Sequence, residues 1–277
     1  MQLVGIQLDI AWEDREANHA KVRGMLEAAP PKPGALVALP EMFASGFSMN
    51  IERIADDATR ATERFLCDMA KRFGVTVIAG LAISGDKPAA LAAGHTGPVA
   101  KATGLALNQA VIAGSDGSVL ARYSKIHPYS PGKEAQHYRG ANAIVTFKCS
   151  DFTVAPFVCY DLRFPEIFRA AMHRKAEVMV VIANWPSPRV EHWITLLRAR
   201  AIENQSFVMG VNRCGNDPYL PYPGRSLIIA PNGSILADAG AEEKIITAEI
   251  EPATVRDYRR ELPFLADAKT NLSRLFD

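Results

Sequence analysis

Short runs rich in Val, Ile and Leu alternate along this chain with stretches whose apolar residues recur at helical spacing, the pattern of an α/β protein whose helices cover a sheet. Residues 2–9 read as a first strand and 14–28 as a helix, stopped by Pro30, Pro31, Pro33 and Gly34. Residues 35–39 make a buried strand ending at Pro40 and Glu41, followed by a helix over 59–73 that Gly74 closes and a strand over 75–83. Residues 107–113 and 118–123 flank Gly114-Ser115-Asp116-Gly117, a hairpin signal that delivers Lys125 just past the second strand. The apolar run 152–158 stops at Cys159-Tyr160-Asp161, and Pro165 with Glu166 opens a helix, so Cys159 is expected at a strand-to-helix junction. A strand over 177–183 precedes a helix with Val190, Trp193, Ile194, Leu197 and Ala201 on its apolar face. Strands over 207–212, 225–230, 234–238 and 244–250 complete the order.

No repeat interrupts this pattern, which predicts one continuous domain over residues 1–277. The exception is 84–104, rich in Ala, Gly and Pro and poor in large apolar residues, which reads as a surface excursion. At 277 residues with 48% hydrophobic and 22% charged content, the chain can bury a sizeable core. The formal net charge is +1 and the basic residues are scattered, so neither nucleic acid nor an anionic membrane surface is an expected partner. No apolar run reaches the roughly 18 residues of a membrane span, and the N-terminus reads as a strand rather than a signal.

The four cysteines are widely separated and form no C-x-x-C pair, which fits a reducing cytoplasm better than a disulfide framework. A buried Cys is by default a small hydrophobe. No set of His, Cys and carboxylate residues has metal-ligand spacing, so neither a metal nor another cofactor is expected.

Three polar residues end three apolar strands far apart in sequence: Glu41, Lys125 and Cys159. Strand ends hold side chains rigidly while the following loops give access, which is how α/β enzymes assemble a site. Taken singly, a Glu after a Pro and a Lys after a strand are usually surface charges. Their contexts are Leu39-Pro40-Glu41-Met42-Phe43, Tyr123-Ser124-Lys125-Ile126-His127 and Val158-Cys159-Tyr160-Asp161-Leu162-Arg163-Phe164-Pro165-Glu166. Ala183-Asn184-Trp185-Pro186, Arg198 to Gln205 and Pro231-Asn232-Gly233 follow in order.

Together these strings resemble the Glu-Lys-Cys set of the nitrilase superfamily, the carbon-nitrogen hydrolases, from the first strand to about residue 260. Within it, the Cys159 and Asn184 strings look most like the omega-amidases, which remove the terminal amide of 2-oxoglutaramate and 2-oxosuccinamate. The resemblance implies a four-layer αββα sandwich, pairing of subunits through outer helices into a homodimer or higher oligomer, and no cofactor. It implies Cys159 as nucleophile, Glu41 as base and then acid, Lys125 favouring the Cys159 thiolate and stabilising an oxyanion, and the Tyr160 N–H as a second oxyanion donor. Glu134 resembles the family's additional active-site glutamate, holding Lys125. Asn184 and Trp185 would line the substrate site. Arg189 and Tyr129, on loops expected to border the nucleophile, are candidates to meet a substrate carboxylate.

The chemistry so implied is hydrolysis of a small linear amide through a cysteine thioester. The same triad serves N-carbamoyl amino acid amidohydrolases, aliphatic amidases and nitrilases, and a non-catalytic binding protein of the same fold is the alternative from another class. His127 reads as a hydrogen-bonder near Lys125, Asp161 and Arg163 as charges that pair and fix the turn after Cys159, and Arg200 with Glu203 as a structural ion pair.

Overall fold

Period-two alternation decides the architecture: in the strands of one sheet, Leu3, Leu36, Ala38, Ile78, Ala110 and Ile112 join the cluster shared with the second sheet. Their neighbours Val4, Val37, Val77, Ala79 and Val111 pack into a separate cluster with helix residues such as Val22, Leu26, Leu66 and Ala70. Both faces of each sheet are therefore covered, giving four layers.

The structure, a computed structural model, describes residues 1–85 and 104–268. The chain runs β1 (Gln2–Gln7), α1 (Arg15–Ala28), β2 (Leu36–Ala38), α2 (Ile51–Ile54), α3 (Ala61–Phe73), β3 (Thr76–Ile83), β4 (Leu107–Ala113) and β5 (Val119–Ser124). It continues through β6 (Phe147–Cys149), β7 (Phe152–Val158), α4 (Pro165–His173), β8 (Val178–Ala183), α5 (Val190–Asn204), β9 (Phe207–Asn212), β10 (Cys214–Asn216) and β11 (Pro221–Pro223). β12 (Leu227–Ile229), β13 (Ile235–Asp238), β14 (Lys244–Glu249) and α6 (Pro252–Glu261) complete it.

One six-stranded sheet has the order β14-β1-β2-β3-β4-β5 and the other β13-β12-β9-β8-β7-β6. Three central strands of each are parallel, β1-β2-β3 and β7-β8-β9, with antiparallel strands on both sides. The layers are thus α1 and α3, the first sheet, the second sheet, then α4 and α5: the expected αββα sandwich. Between α1 and α3, the His19 ring stacks on Phe65 at 4.1 Å, and burial there lowers the imidazole pKa to about 4, so it packs as a neutral ring. At Gly210 a Cβ would come within 2.4 Å of Leu197 Cδ1, so the missing side chain lets α5 lie close on β9.

The expected strands and helices are present with ends shifted by at most a residue or two, and 225–230 shortens to Leu227–Ile229. Four features go beyond the pattern: the edge strand β6, the β10-β11 hairpin, the four-residue helix α2 and α6. The first two are three-residue strands with too few positions to show a period. In α6 only Val255 is buried, so the helix has almost no apolar stripe to read. Of the expected excursion over 84–104, residues 86–103 lie outside the described residues. Among the described residues, no helix is long and apolar enough to cross a membrane.

Candidate active site

The ends of β2, β5 and β7 converge. After β2 the chain crosses over β3 at Gly80, where a Cβ would stand 2.5 Å from Glu41 Cα. Only glycine permits that crossing, and it is pinned by the Gly80 N–H donating to the Pro40 carbonyl at 3.2 Å. Lys125 leaves β5 with its N–H donating to the Asn108 carbonyl at 2.9 Å. Cys159 directly follows β7 with φ 47°, a left-handed conformation that costs a non-glycine residue roughly 1 kcal/mol or more and turns its side chain out at a tight elbow.

Buried Asp161 holds that elbow. Its carboxylate accepts from Tyr123 Oη at 2.7 Å, the Val158 N–H at 3.3 Å, the His127 N–H at 3.0 Å and His127 Nδ1 at 2.9 Å. The expected roles of Asp161 and His127 as structural partners match this network. Arg200 and Glu203 meet at 2.9 Å, as their spacing suggests.

Glu41, Glu134 and Lys125 form one buried cluster. Lys125 Nζ donates to Glu41 Oε1 at 3.0 Å and to Glu134 Oε2 and Oε1 at 2.8 and 3.1 Å. Glu41 Oε2 accepts from the Asn184 N–H at 2.9 Å, and Asn184 Nδ2 donates to the Glu41 carbonyl at 2.6 Å. Glu134 Oε2 also accepts from the Tyr129 N–H at 2.5 Å. Both glutamates are 0% exposed and Lys125 2%, so removing any one charge would leave the others uncompensated out of water.

Burial alone would pull the Lys125 ammonium down, but the Glu134 and Glu41 carboxylates, with Cys159, outweigh it and hold the pKa well above the ordinary lysine range. The Cys159 thiol is pushed well above its ordinary value by burial first and then by the Glu41 charge, which Lys125 only partly opposes. Lys125 favours the thiolate, as expected, but burial and the Glu41 charge oppose it more strongly. A standing thiolate is thus disfavoured in this site.

Above the thiol opens a pocket of about 770 Å³. Each of the five other sequence candidates, Tyr129, Tyr160, Asn184, Trp185 and Arg189, borders it together with Cys159. The Arg189 guanidinium lies 5.7 Å from the Tyr129 ring, and the Arg189 carbonyl accepts from Trp185 Nε1 at 2.7 Å. Arg163 departs from expectation. Instead of pairing with a carboxylate, it stacks 4.7 Å from the Trp185 ring, hydrogen-bonds His192 Nδ1 at 3.2 Å and lines the same pocket. Its position directly after the elbow, where α4 has not yet begun, turns it toward the opening. Neither Arg163 nor Arg189 has an ion-pair partner among the described residues.

Sequence reasoning overlooked Asn108, whose Nδ2 reaches both Glu41 and Glu134, and gave no role to Phe47, whose ring lies 5.3 Å from Lys125 Nζ. Asn108 stands beside the equally polar Gln109 near the start of β4, so nothing in the local pattern marks it for the site. Among the described residues, no group of three or more His, Cys, Asp or Glu side chains could hold a metal ion.

The model of the family described as carbon-nitrogen hydrolase matches residues 5–260. The chain is 32% identical over 268 residues to the 2-oxoglutaramate amidase of Bacillus subtilis, covering 96% of this chain and 97% of that one. It is 33% identical over 273 residues to the omega-amidase YafV of Escherichia coli, covering 97% and 96%. Among solved structures, a superfamily member from Xanthomonas campestris with an arsenic adduct in its active site superposes with a TM-score of 0.84 at 29% identity, covering 98% of each chain. A family match over residues 5–260, relatives above 30% identity along nearly the whole chain and the shared sandwich agree: this chain belongs to the carbon-nitrogen hydrolase family and is a hydrolase acting on carbon-nitrogen bonds.

Proposed function

We propose that the chain hydrolyses the terminal amide of a short dicarboxylic acid monoamide to the acid and ammonia, through a thioester on Cys159. The observation that carries this reading is that Glu41, Lys125 and Glu134, distant in sequence, form one buried cluster next to Cys159, which lines the pocket. Cys159 Sγ attacks the amide carbon as Glu41 takes the thiol proton, and the carbonyl oxygen becomes an oxyanion facing the Lys125 ammonium and the Tyr160 N–H. Collapse breaks the carbon-nitrogen bond, Glu41 returns the proton to nitrogen and ammonia leaves. Glu41 then takes a proton from water, whose oxygen attacks the thioester and releases the acid. The proton returns to the sulfur.

Coupling proton removal to attack suits the resting thiol, because no thiolate must persist in a buried, carboxylate-rich site. Lys125 keeps its charge throughout, which an oxyanion partner requires. The free carboxylate of the substrate needs a cation, since burying it unpaired would cost several kcal/mol. Arg163 and Arg189, both on the pocket wall without ion-pair partners among the described residues, supply two, and Tyr129 lies beside the second. Relatives named 2-oxoglutaramate amidase and omega-amidase support the same substrate class.

A pocket of about 770 Å³, within the range that holds drug-sized ligands, favours a second reading in which a longer amide such as an N-carbamoyl amino acid is the substrate. Ammonia release measured over succinamate, 2-oxoglutaramate, butyramide and carbamoyl amino acids separates the two. Succinamate and 2-oxoglutaramate should exceed butyramide in kcat/KM by at least about 100-fold, because a site built to pair a polar group rejects the analogue lacking it. Comparable values for butyramide would show that the carboxylate is not read.

A further inference from the structure

We infer that Asn108 is a positioning residue that fixes which oxygen of Glu41 takes the thiol proton; this rests on the hydrolase reading of the site. Asn108 lies on β4 opposite Ala82 of β3 and is 2% exposed. Its Nδ2 donates to Glu41 Oε1 at 2.7 Å and to Glu134 Oε1 at 2.9 Å. Both acceptors are carboxylate oxygens, so the amide can present only its nitrogen to them, and Oδ1 is left without a partner. Through its main chain the same residue accepts the Lys125 N–H at 2.9 Å. One asparagine therefore touches all three charged members of the buried cluster.

A carboxylate offers about four lone-pair sites, two on each oxygen. On Glu41 Oε1 both are taken, by Asn108 Nδ2 and Lys125 Nζ. On Oε2 the Asn184 N–H takes one at 2.9 Å, and Asn184 Nδ2 approaches only to a long 3.5 Å. The open site, and hence the seat for the proton of Cys159, is on Oε2. Asn108 enforces this by occupying Oε1.

It also ties together two like charges that share a single ammonium, and it does so with a group that carries neither charge nor an exchangeable acidic proton. A lysine or histidine in its place would change the charge balance. Removing it frees one lone pair on each glutamate and relaxes the restraint between them, while leaving the pocket wall intact, because Asn108 does not line the pocket.

The test compares Asn108→Leu, which keeps much of the volume and has no donor, and Asn108→Asp, which keeps the shape and replaces the NH2 donor, with the native chain on succinamate. Both variants are expected to lose about 100-fold in kcat, the scale on which a small misplacement of a reacting group acts, with KM changed less than about 3-fold. The acid limb of the kcat/KM profile should move to higher pH by on the order of one unit, because a hydrogen bond to the charged carboxylate is lost. The ionisable groups facing that position are Glu41, Glu134, Lys125, Cys159 and the Tyr138 hydroxyl. Asn108→Asp serves if Asn108→Leu does not fold. Native kcat with an unmoved acid limb in a folded variant overturns the assignment. So does a rise in KM at native kcat, which would make Asn108 a substrate-binding residue, or a lowered kcat with an unmoved limb, which would make it merely structural. If the native chain releases no ammonia from any amide in the panel, the hydrolase reading itself fails and takes this assignment with it.

Discussion

Cys159→Ala is expected to lower amide turnover by at least about 10⁴-fold, the scale seen when a covalent nucleophile is deleted. The remaining site would still bind substrate and orient an oxyanion, but no other group occupies the elbow position. Fold stability should change little. Cys159 is held with positive φ by the Asp161 network, which Ala does not disturb, and deleting one sulfur beside an open pocket costs at most about 1 kcal/mol. Losing the thiol also removes a group whose burial beside Glu41 is unfavourable in its charged form. Ammonia release and thermal melting of the pure variant check both parts. Substantial residual turnover with a native melt would rule out the covalent route through this residue.

Lys125→Met carries the second large effect, and it acts on both rate and stability. Nζ is the only cation in hydrogen-bond contact with the two buried carboxylates among the described residues. Deleting it leaves Glu41 and Glu134 facing each other, which by analogy with other broken buried pairs costs about 3–5 kcal/mol. In a chain of this length that is on the order of 10 °C in melting temperature. The rate effect comes from the lost oxyanion partner, worth about 100- to 1,000-fold in kcat, with KM nearly unchanged because the charge acts on a state that forms only during reaction. A variant with near-native kcat and a raised KM would instead make Lys125 a ground-state binding residue. Melting at neutral and mildly acidic pH separates the two effects, since protonation of the stranded carboxylates restores part of the stability but none of the rate.

The sequence made the strand ends legible because apolar runs stop abruptly there: Leu39 before Pro40-Glu41, Val158 before Cys159, and the hairpin before Lys125. Glu41 and Lys125 come together from different strands, and only the resemblance to a family, not any spacing, could bring Glu134 to the same ammonium. Asn108 was illegible because its role depends on two carboxylates reached through the tertiary fold, and one Asn in a strand carries no local signature. Arg163 was misread because charge beside Asp161 suggests pairing, whereas Asp161 is already saturated by Tyr123, His127 and Val158. The upward push on the Cys159 thiol comes from burial and then the nearby Glu41 charge, quantities that exist only in the folded chain.

The central claim is that an acyl group passes through Cys159, and trapping that group tests it most directly. Native protein mixed briefly with succinamate or 2-oxoglutaramate, quenched in acid and digested should yield a peptide spanning Cys159 heavier by the acyl moiety, and the Cys159→Ala variant should yield none. An adduct confined to Cys67, Cys149 or Cys214, or full turnover with no acyl-enzyme at any time under conditions where hydrolysis of the intermediate is slowed, would contradict the account.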